Sequence, residues 1–454
     1  MTGVPSEASM TPTRKLGLVM CVALVVGNMV GSGAFQLPRD LAPLGWSSVY
    51  GWLMTIAGTL CLAVVLTRVG RGRADSCAAF AYPAAAFGPG TGFVVAWSYW
   101  ISCWTANATL AVAVVNSLAF IWPALRQPGV AIALAMGCLW LLTLVNCLGV
   151  REAGKVQVVT TLLKLLPLVG AIVAAIWLLG SGAAAPVAHD SVPVTAGNIQ
   201  TAATFTLFAM LSFESAMAAG DRVANPERNV PLATMIGTVL AGLIYLFACS
   251  AVTLLLPAAA LQDSPAPFAL FFTLIDPALG PVVAAFMAIA ALGALNGIVL
   301  VQAEMPLALA RERLLPASLA RFNRNEIPYR IHIVSTGLAT VLVLANYTQS
   351  VAELFNFMVL VTTSVSLIFY LVSTLAGLRL KMLGRLQGSA VFVAVAIAAA
   401  LYCLWAFYGA GVRASLWSLA MTAVAVPVYL LMRRANRSSQ AGAGSPAASP
   451  ESAA

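Results

Sequence analysis

The chain is built of apolar blocks long enough to cross a lipid bilayer, and that feature restricts its fold more than any other. A bilayer core takes about 20 consecutive apolar residues per helix. Blocks of this kind lie near 16–37, 46–67, 89–122, 129–149, 156–180, 200–220, 231–256, 277–310, 332–346, 351–377, 389–409 and 414–432. They are uniformly apolar, whereas the strands of a membrane barrel alternate polar and apolar over about 10 residues. Composition agrees: 61% of the 454 residues are hydrophobic and 9% charged, against about 25% charged in soluble domains. So few charges cannot cover a surface facing water, and lipid must cover much of it. The expected fold is an all-α integral membrane protein of twelve transmembrane helices.

The distribution of basic residues sets the orientation. If the tail at Arg14 and Lys15 is inside, 20 of the 24 Lys and Arg fall on inside segments. Only Arg39, Arg126 and Arg413 fall outside, and Lys164 is left within a span. Such a split follows the positive-inside rule and places both termini in the cytoplasm, in a multi-pass cytoplasmic (inner) membrane protein. The net charge of +9 therefore concerns membrane orientation and the anionic inner leaflet, not nucleic acid. The apolar stretch after Lys15 runs past Gly33 with no A-x-A site, so it does not read as a cleaved signal peptide. The eight cysteines are scattered singly, which suggests neither a metal site nor a disulfide framework, and no cofactor is implied. Residues 1–13 read as a cytoplasmic tail, 14–434 as the helical domain and 435–454 as a disordered tail.

Two spans carry features that a lipid-facing helix lacks. The first holds Gly27-Asn28-Met29-Val30-Gly31-Ser32-Gly33, then Pro38. Each glycine lowers helix stability by about 1 kcal/mol relative to alanine. Gly27 and Gly31 also fit the small-xxx-small pattern of close helix crossings. The alternative is an unwound segment whose free N–H groups, at a half-helix N-terminus, bind a carboxylate. The sixth span holds Glu214 deep in an apolar stretch, at a cost of about 2.5–3.5 kcal/mol at a helix centre. A carboxyl is kept there for a pathway, a gate or a structural pair. Spans one and six hold corresponding positions in two five-helix halves, about 16–180 and 200–377, followed by two helices over about 389–432. Interrupted helices so placed point to a transport site between inverted repeats.

At these residues the chain resembles the amino acid-polyamine-organocation (APC) transporter superfamily, and within it the arginine/agmatine and lysine/cadaverine antiporter group. The resemblance rests on GNMVGSGAFQLP at 27–38, YWISCWTAN at 99–107, ESAMAAGDRVANPERNVPLAT at 214–234 and TSVSLIF at 363–369. It extends weakly over most of 14–434. It implies two inverted five-helix repeats plus two further helices, with spans one and six broken, often in a homodimer. It implies that the backbone at Gly31, Ser32 and Gly33 holds a substrate carboxylate, and that carbonyls of Met29, Phe208 and Leu211 accept from an α-ammonium group. Ser102, Cys103, Asn107 and Ser364 match positions lining the side-chain pocket, and Tyr99 and Glu214 match gating positions. The antiporter's pocket has tryptophans where Phe208 and Ile298 stand here. An indole face holds a guanidinium by cation–π attraction worth about 0.5–2 kcal/mol. The two substitutions therefore favour a neutral or broadly specific amino acid, with basic amino acids or polyamines as the alternative.

Two further charges are buried by the span assignment. Lys164 lies nine residues after Lys155, about 13 Å of helix rise, too deep for easy snorkelling. It resembles the span-five lysine that takes the place of sodium in sodium-independent members of the superfamily, which makes it a candidate for proton coupling. Glu304, between Gln302 and Pro306 in span eight, is the second coupling candidate; Pro306 removes a backbone donor there and loosens the helix. Gly88-Pro89-Gly90-Thr91-Gly92 lacks the Lys-Ser/Thr of a phosphate loop and reads as a turn. His189 and His332 are far apart and begin no metal site. A membrane enzyme would need clustered catalytic groups, and a channel rings of carbonyls or charges. Neither pattern is present, so the sequence favours a carrier of amino acids or amines across the bilayer, with protons as a candidate second solute.

Overall fold

The structure, a computed structural model, describes residues 16–31, 33–70, 78–148, 151–187, 192–218, 223–346 and 349–443. Ser32 and His189 therefore lie outside the described residues. Regular structure among the described residues is helical, the lone β-bridge joining Leu16 to Val223. The first half comprises α1 (Leu18–Met29), α2 (Gly33–Leu41), α3 (Ser47–Val69), α4 (Ala78–Phe87), α5 (Pro89–Ala119), α6 (Pro128–Leu148) and α7 (Arg151–Ser181). There follow α8 (Ala196–Met210), α9 (Ser215–Ala218), α10 (Pro226–Leu255), α11 (Ala258–Asp263), α12 (Pro267–Phe272), α13 (Leu279–Val301) and α14 (Glu304–Arg311). The chain ends with α15 (Tyr329–Leu344), α16 (Val351–Met382), α17 (Ala390–Gly409), α18 (Gly411–Ala423) and α19 (Ala425–Ala443).

Among the described residues nine helices are long and apolar enough to cross a membrane, and ten if the bent pair α1–α2 is one span. The chain is a multi-pass membrane protein. Its burial pattern shows which helices face protein and which face lipid. In α5, 89% of the most apolar window is buried, whereas over 411–437 only 17% is. The long α5 is therefore the central post, packed by α13, α16, α6 and α15, while α18 and α19 lie at the periphery. Around the post α3 packs on α8, α1 on α10, and α7 on α13. Small residues and hydroxyls make these crossings close, as in other membrane bundles. Thr55 of α3 donates to the Ala203 carbonyl at 3.0 Å and meets the Thr206 hydroxyl at 2.7 Å.

The first span is broken, as the resemblance implied and the glycine cluster allowed: it breaks after Met29, and α2 leaves at 53°. One element departs from the sequence expectation. The expected disordered tail from 435 is helical as far as Ala443, because α19 continues past the last apolar residues and Asn436 donates to the Arg313 carbonyl at 2.8 Å.

The α3–α8 crossing yields a test. A Cβ on Gly51 would come within 3.0 Å of the α8 backbone at Ala202 and Ala203, and backbone cannot yield as a side chain can. Gly51→Val is expected to destabilise the protein by about 1–3 kcal/mol, as overpacking does, seen as a lowered unfolding temperature in detergent. An unchanged temperature would refute this close crossing.

Candidate functional site

The site is made by two helix breaks facing one another. At the first, α1 stops at Met29, Val30 takes φ −68° and ψ 88°, and Gly31 is non-helical before α2 starts at Gly33. A broken helix leaves backbone donors and acceptors without partners, and inside a bilayer these must be met by protein. Tyr245, fully buried on α10, does so from both sides. Its hydroxyl donates to the Met29 carbonyl at 2.7 Å and accepts from the Gly31 N–H at 3.3 Å. Trp52 stacks on the Tyr245 ring at 5.6 Å and holds it in place. The Met29 carbonyl, expected to be open to a substrate ammonium, is thus already engaged.

At the second break α8 ends at Met210, and residues 211–214 turn before the short α9. Leu211 is extended, with φ −63° and ψ 160°. Ser212 has φ 70°, a left-handed conformation uncommon outside glycine. The Leu211 N–H donates to the Phe208 carbonyl at 3.3 Å. The Phe208 ring sits directly against Gly33, where any Cβ would overlap it. Only glycine therefore lets the two breaks approach this closely.

Between the breaks lies a cavity of about 310 Å³. Met29, Gly31, Gly33, Phe208 and Leu211 line it from the broken helices. Tyr99, Ser102 and Cys103 line it from α5, and Ile298 from α13. Three acidic or basic side chains border it: Lys164 of α7, Glu214 at the second break, and Glu304 at the head of α14. Glu214 Oε2 accepts from the Tyr370 hydroxyl at 3.0 Å. Lys164 is 1% exposed, and no hydrogen bond or ion pair joins it to another described residue. Aromatic rings form one wall, Tyr99 lying 5.3 Å from Phe369, Phe369 5.0 Å from Tyr370, and Tyr370 5.2 Å from Phe213. No three His, Cys, Asp or Glu side chains gather around a point suited to a metal ion among the described residues.

Two expected pocket residues do not border the cavity. Asn107 stands about 80° round α5 from Tyr99 at 100° per residue, and donates to Gln302 Oε1 at 2.8 Å. Gln302 meets His332 at 3.3 Å, so all three form a buried polar cluster beside the cavity. Ser364 is about 160° round α16 from the cavity-lining Ser366, and its hydroxyl donates to the Leu360 carbonyl at 2.7 Å. Conversely, nothing in the sequence marks Tyr245 or Tyr370. Each is a tyrosine in an apolar span, indistinguishable there from a packing or interface residue.

The amino acid permease family profile matches residues 16–431, and the chain belongs to that family, within the APC superfamily. It is 31% identical to the putrescine transporter PotE of Haemophilus influenzae over 425 residues, 92% of this chain and 97% of that protein. It is 30% identical to the putrescine transporter PotE of Escherichia coli K12 over 433 residues, 93% of this chain and 97% of that protein. A cadaverine/lysine antiporter of the same strain is 31% identical over 322 residues, 70% of this chain and 72% of that protein. The chain is accordingly a transporter, not an enzyme.

Tyr245→Phe keeps the stack on Trp52 but leaves the Met29 carbonyl and Gly31 N–H unpaired. The expected cost is about 1–3 kcal/mol, read as a lower unfolding temperature together with loss of transport. Wild-type stability and transport in this variant would show that the hydroxyl does not hold the break.

Proposed function

We propose that the protein exchanges polyamines and basic amino acids across the cytoplasmic membrane by alternating access. The observation that carries this reading is the pair of carboxyl side chains, Glu214 and Glu304, bordering one aromatic-walled cavity. A diamine lacks the carboxylate of an amino acid and must be held by its ammonium ends. Two acidic groups beside aromatic faces suit that task. A basic amino acid places its side-chain ammonium in the same acidic surroundings and its carboxylate at the N-terminal end of α2. The relatives named above, putrescine transporters and a cadaverine/lysine antiporter, support the same substrates. They favour the basic alternative over the neutral amino acids suggested by Phe208 and Ile298. Those two residues weaken a guanidinium site, but a primary ammonium needs no broad indole face. Tyr99 and Glu214, the latter tied to Tyr370, act in this reading as the gate over the bound substrate.

The architecture we infer is twelve spans in two inverted five-helix repeats with two added helices, the basic face and both termini being cytoplasmic. Helix packing supports the repeat. Exchanging the first five spans with the second five maps α3 on α8 to α10 on α1, α5 on α16 to α13 on α7, and α6 on α13 to α15 on α5. Rocking one set of helices against the other about the two breaks then opens the cavity to alternate sides.

Counterflow tests the reading. Proteoliposomes preloaded with unlabelled putrescine or lysine are expected to accumulate the other, labelled, with alanine and leucine inert. Counterflow confined to neutral amino acids would contradict it. Lys164, buried and bordering the cavity, is the proposed coupling residue. Lys164→Ala is expected to remove at least about tenfold of any stimulation of uptake by a proton gradient while substrate still binds. A gradient response equal to wild type would eliminate that role.

A further inference from the structure

On α2, Gly33, Gln36 and Asp40 are spaced by three and four residues and so share one helix face. Gly33 borders the cavity; Asp40 lies about 10 Å further along the helix, towards the face poor in basic residues. On α16, Asn356, Thr363 and Tyr370 recur every seven residues and share a face, drifting by about 20° per heptad or about 40° in all. Tyr370 borders the cavity at its inner end. The two stripes meet where Asn356 Nδ2 donates to Asp40 Oδ1 at 2.6 Å.

Along both stripes buried polar atoms lack partners among the described residues. Gln36 is 1% exposed, and neither Oε1 nor Nε2 is hydrogen-bonded to a described residue. The same holds for Asp40 Oδ2, Asn356 Oδ1 and the hydroxyl of fully buried Thr363. Leaving such groups unpaired costs about 1–3 kcal/mol each, and more for a charged group. Arg39 attracts the Asp40 carboxylate from a distance, yet no ion pair joins them among the described residues.

We propose that Gln36, Asp40 and Asn356 form a second cation subsite, which receives the ammonium end of a substrate passing between the basic-poor face and the central cavity. The chemistry matches in number and kind. An alkylammonium carries three N–H donors and no acceptor, and the subsite offers three unused oxygens: Gln36 Oε1, Asp40 Oδ2 and Asn356 Oδ1. One of them belongs to a carboxylate, which supplies the opposite charge. On the same stripe, between Asn356 and Tyr370, Thr363 offers a further oxygen. An alkali cation shares this oxygen chemistry, and the experiment separates the two.

This inference rests on the amine-exchange reading. The full-length protein is reconstituted with known sidedness, and putrescine counterflow is measured with label added at either face. For Asp40→Asn, the KM at the basic-poor face is expected to rise about fivefold or more, with the KM at the opposite face unchanged, because a charge at an entrance acts on encounter. Asp40→Glu should restore most of the affinity. Gln36→Leu removes only unpaired polar atoms; it is expected to keep the wild-type unfolding temperature and also to raise the KM at that face alone. Equal KM values for wild type, Asp40→Asn and Gln36→Leu at both faces would overturn the subsite while leaving amine exchange intact. A loss equal at both faces would mark Asp40 as structural and would also overturn it. Wild-type transport that depends on Na+ or K+, with the dependence lost in Asp40→Asn, would reassign the oxygens to an alkali cation. Absence of amine counterflow in the wild type would overturn both readings.

Discussion

A peptide group stripped of its helical partner cannot be left bare in a bilayer, and the central architecture of this transporter answers that constraint. Two helices are interrupted within apolar segments, after Met29 and after Met210, and hydrocarbon offers a broken backbone no hydrogen bonds. The first interruption persists because Tyr245 reaches across from α10 and bonds both sides of it. The second persists because Ser212 accepts a left-handed conformation and the chain re-enters a helix within three residues. Residues of both breaks line one cavity.

Packing then fixes the distance between the breaks. Gly33 has no side chain, so the Phe208 ring can lie against α2. The long, buried α5 carries Tyr99, Ser102 and Cys103 to the opposite side. Charge enters from two separate helices and the second break, rather than from any local motif. Lys164, Glu214 and Glu304 are brought together only by the fold. Bordering a single cavity, they place both acidic and basic groups within it, which separates it from a pocket lined by apolar side chains alone.

The sequence reveals those parts of the molecule that lipid dictates. Apolar length places the helices. The clustered glycines from Gly27 to Gly33, with Glu214 stranded in an apolar run, mark the two breaks without reference to structure. What escapes is rotation about a helix axis and contact between distant helices. Asn107 and Ser364 sit in the right segments but on the wrong sides, Asn107 turned to Gln302 and Ser364 closed on its own helix. Tyr245 meets Met29 across 216 residues of chain, and Asp40 meets Asn356 across 316; no local pattern encodes either. The helix running to Ala443 was hidden for a different reason: small polar residues look disordered until a neighbour such as the Arg313 carbonyl anchors them.

The central claim is that the paired breaks are the binding site. Its most direct test is an experimental structure of the protein with bound putrescine. The ligand is expected between Gly33 and Phe208 on one side and Glu214 and Glu304 on the other, with α1 and α8 still interrupted. Continuous helices through Gly31 and Leu211, or a diamine bound elsewhere with this cavity collapsed, would contradict the account.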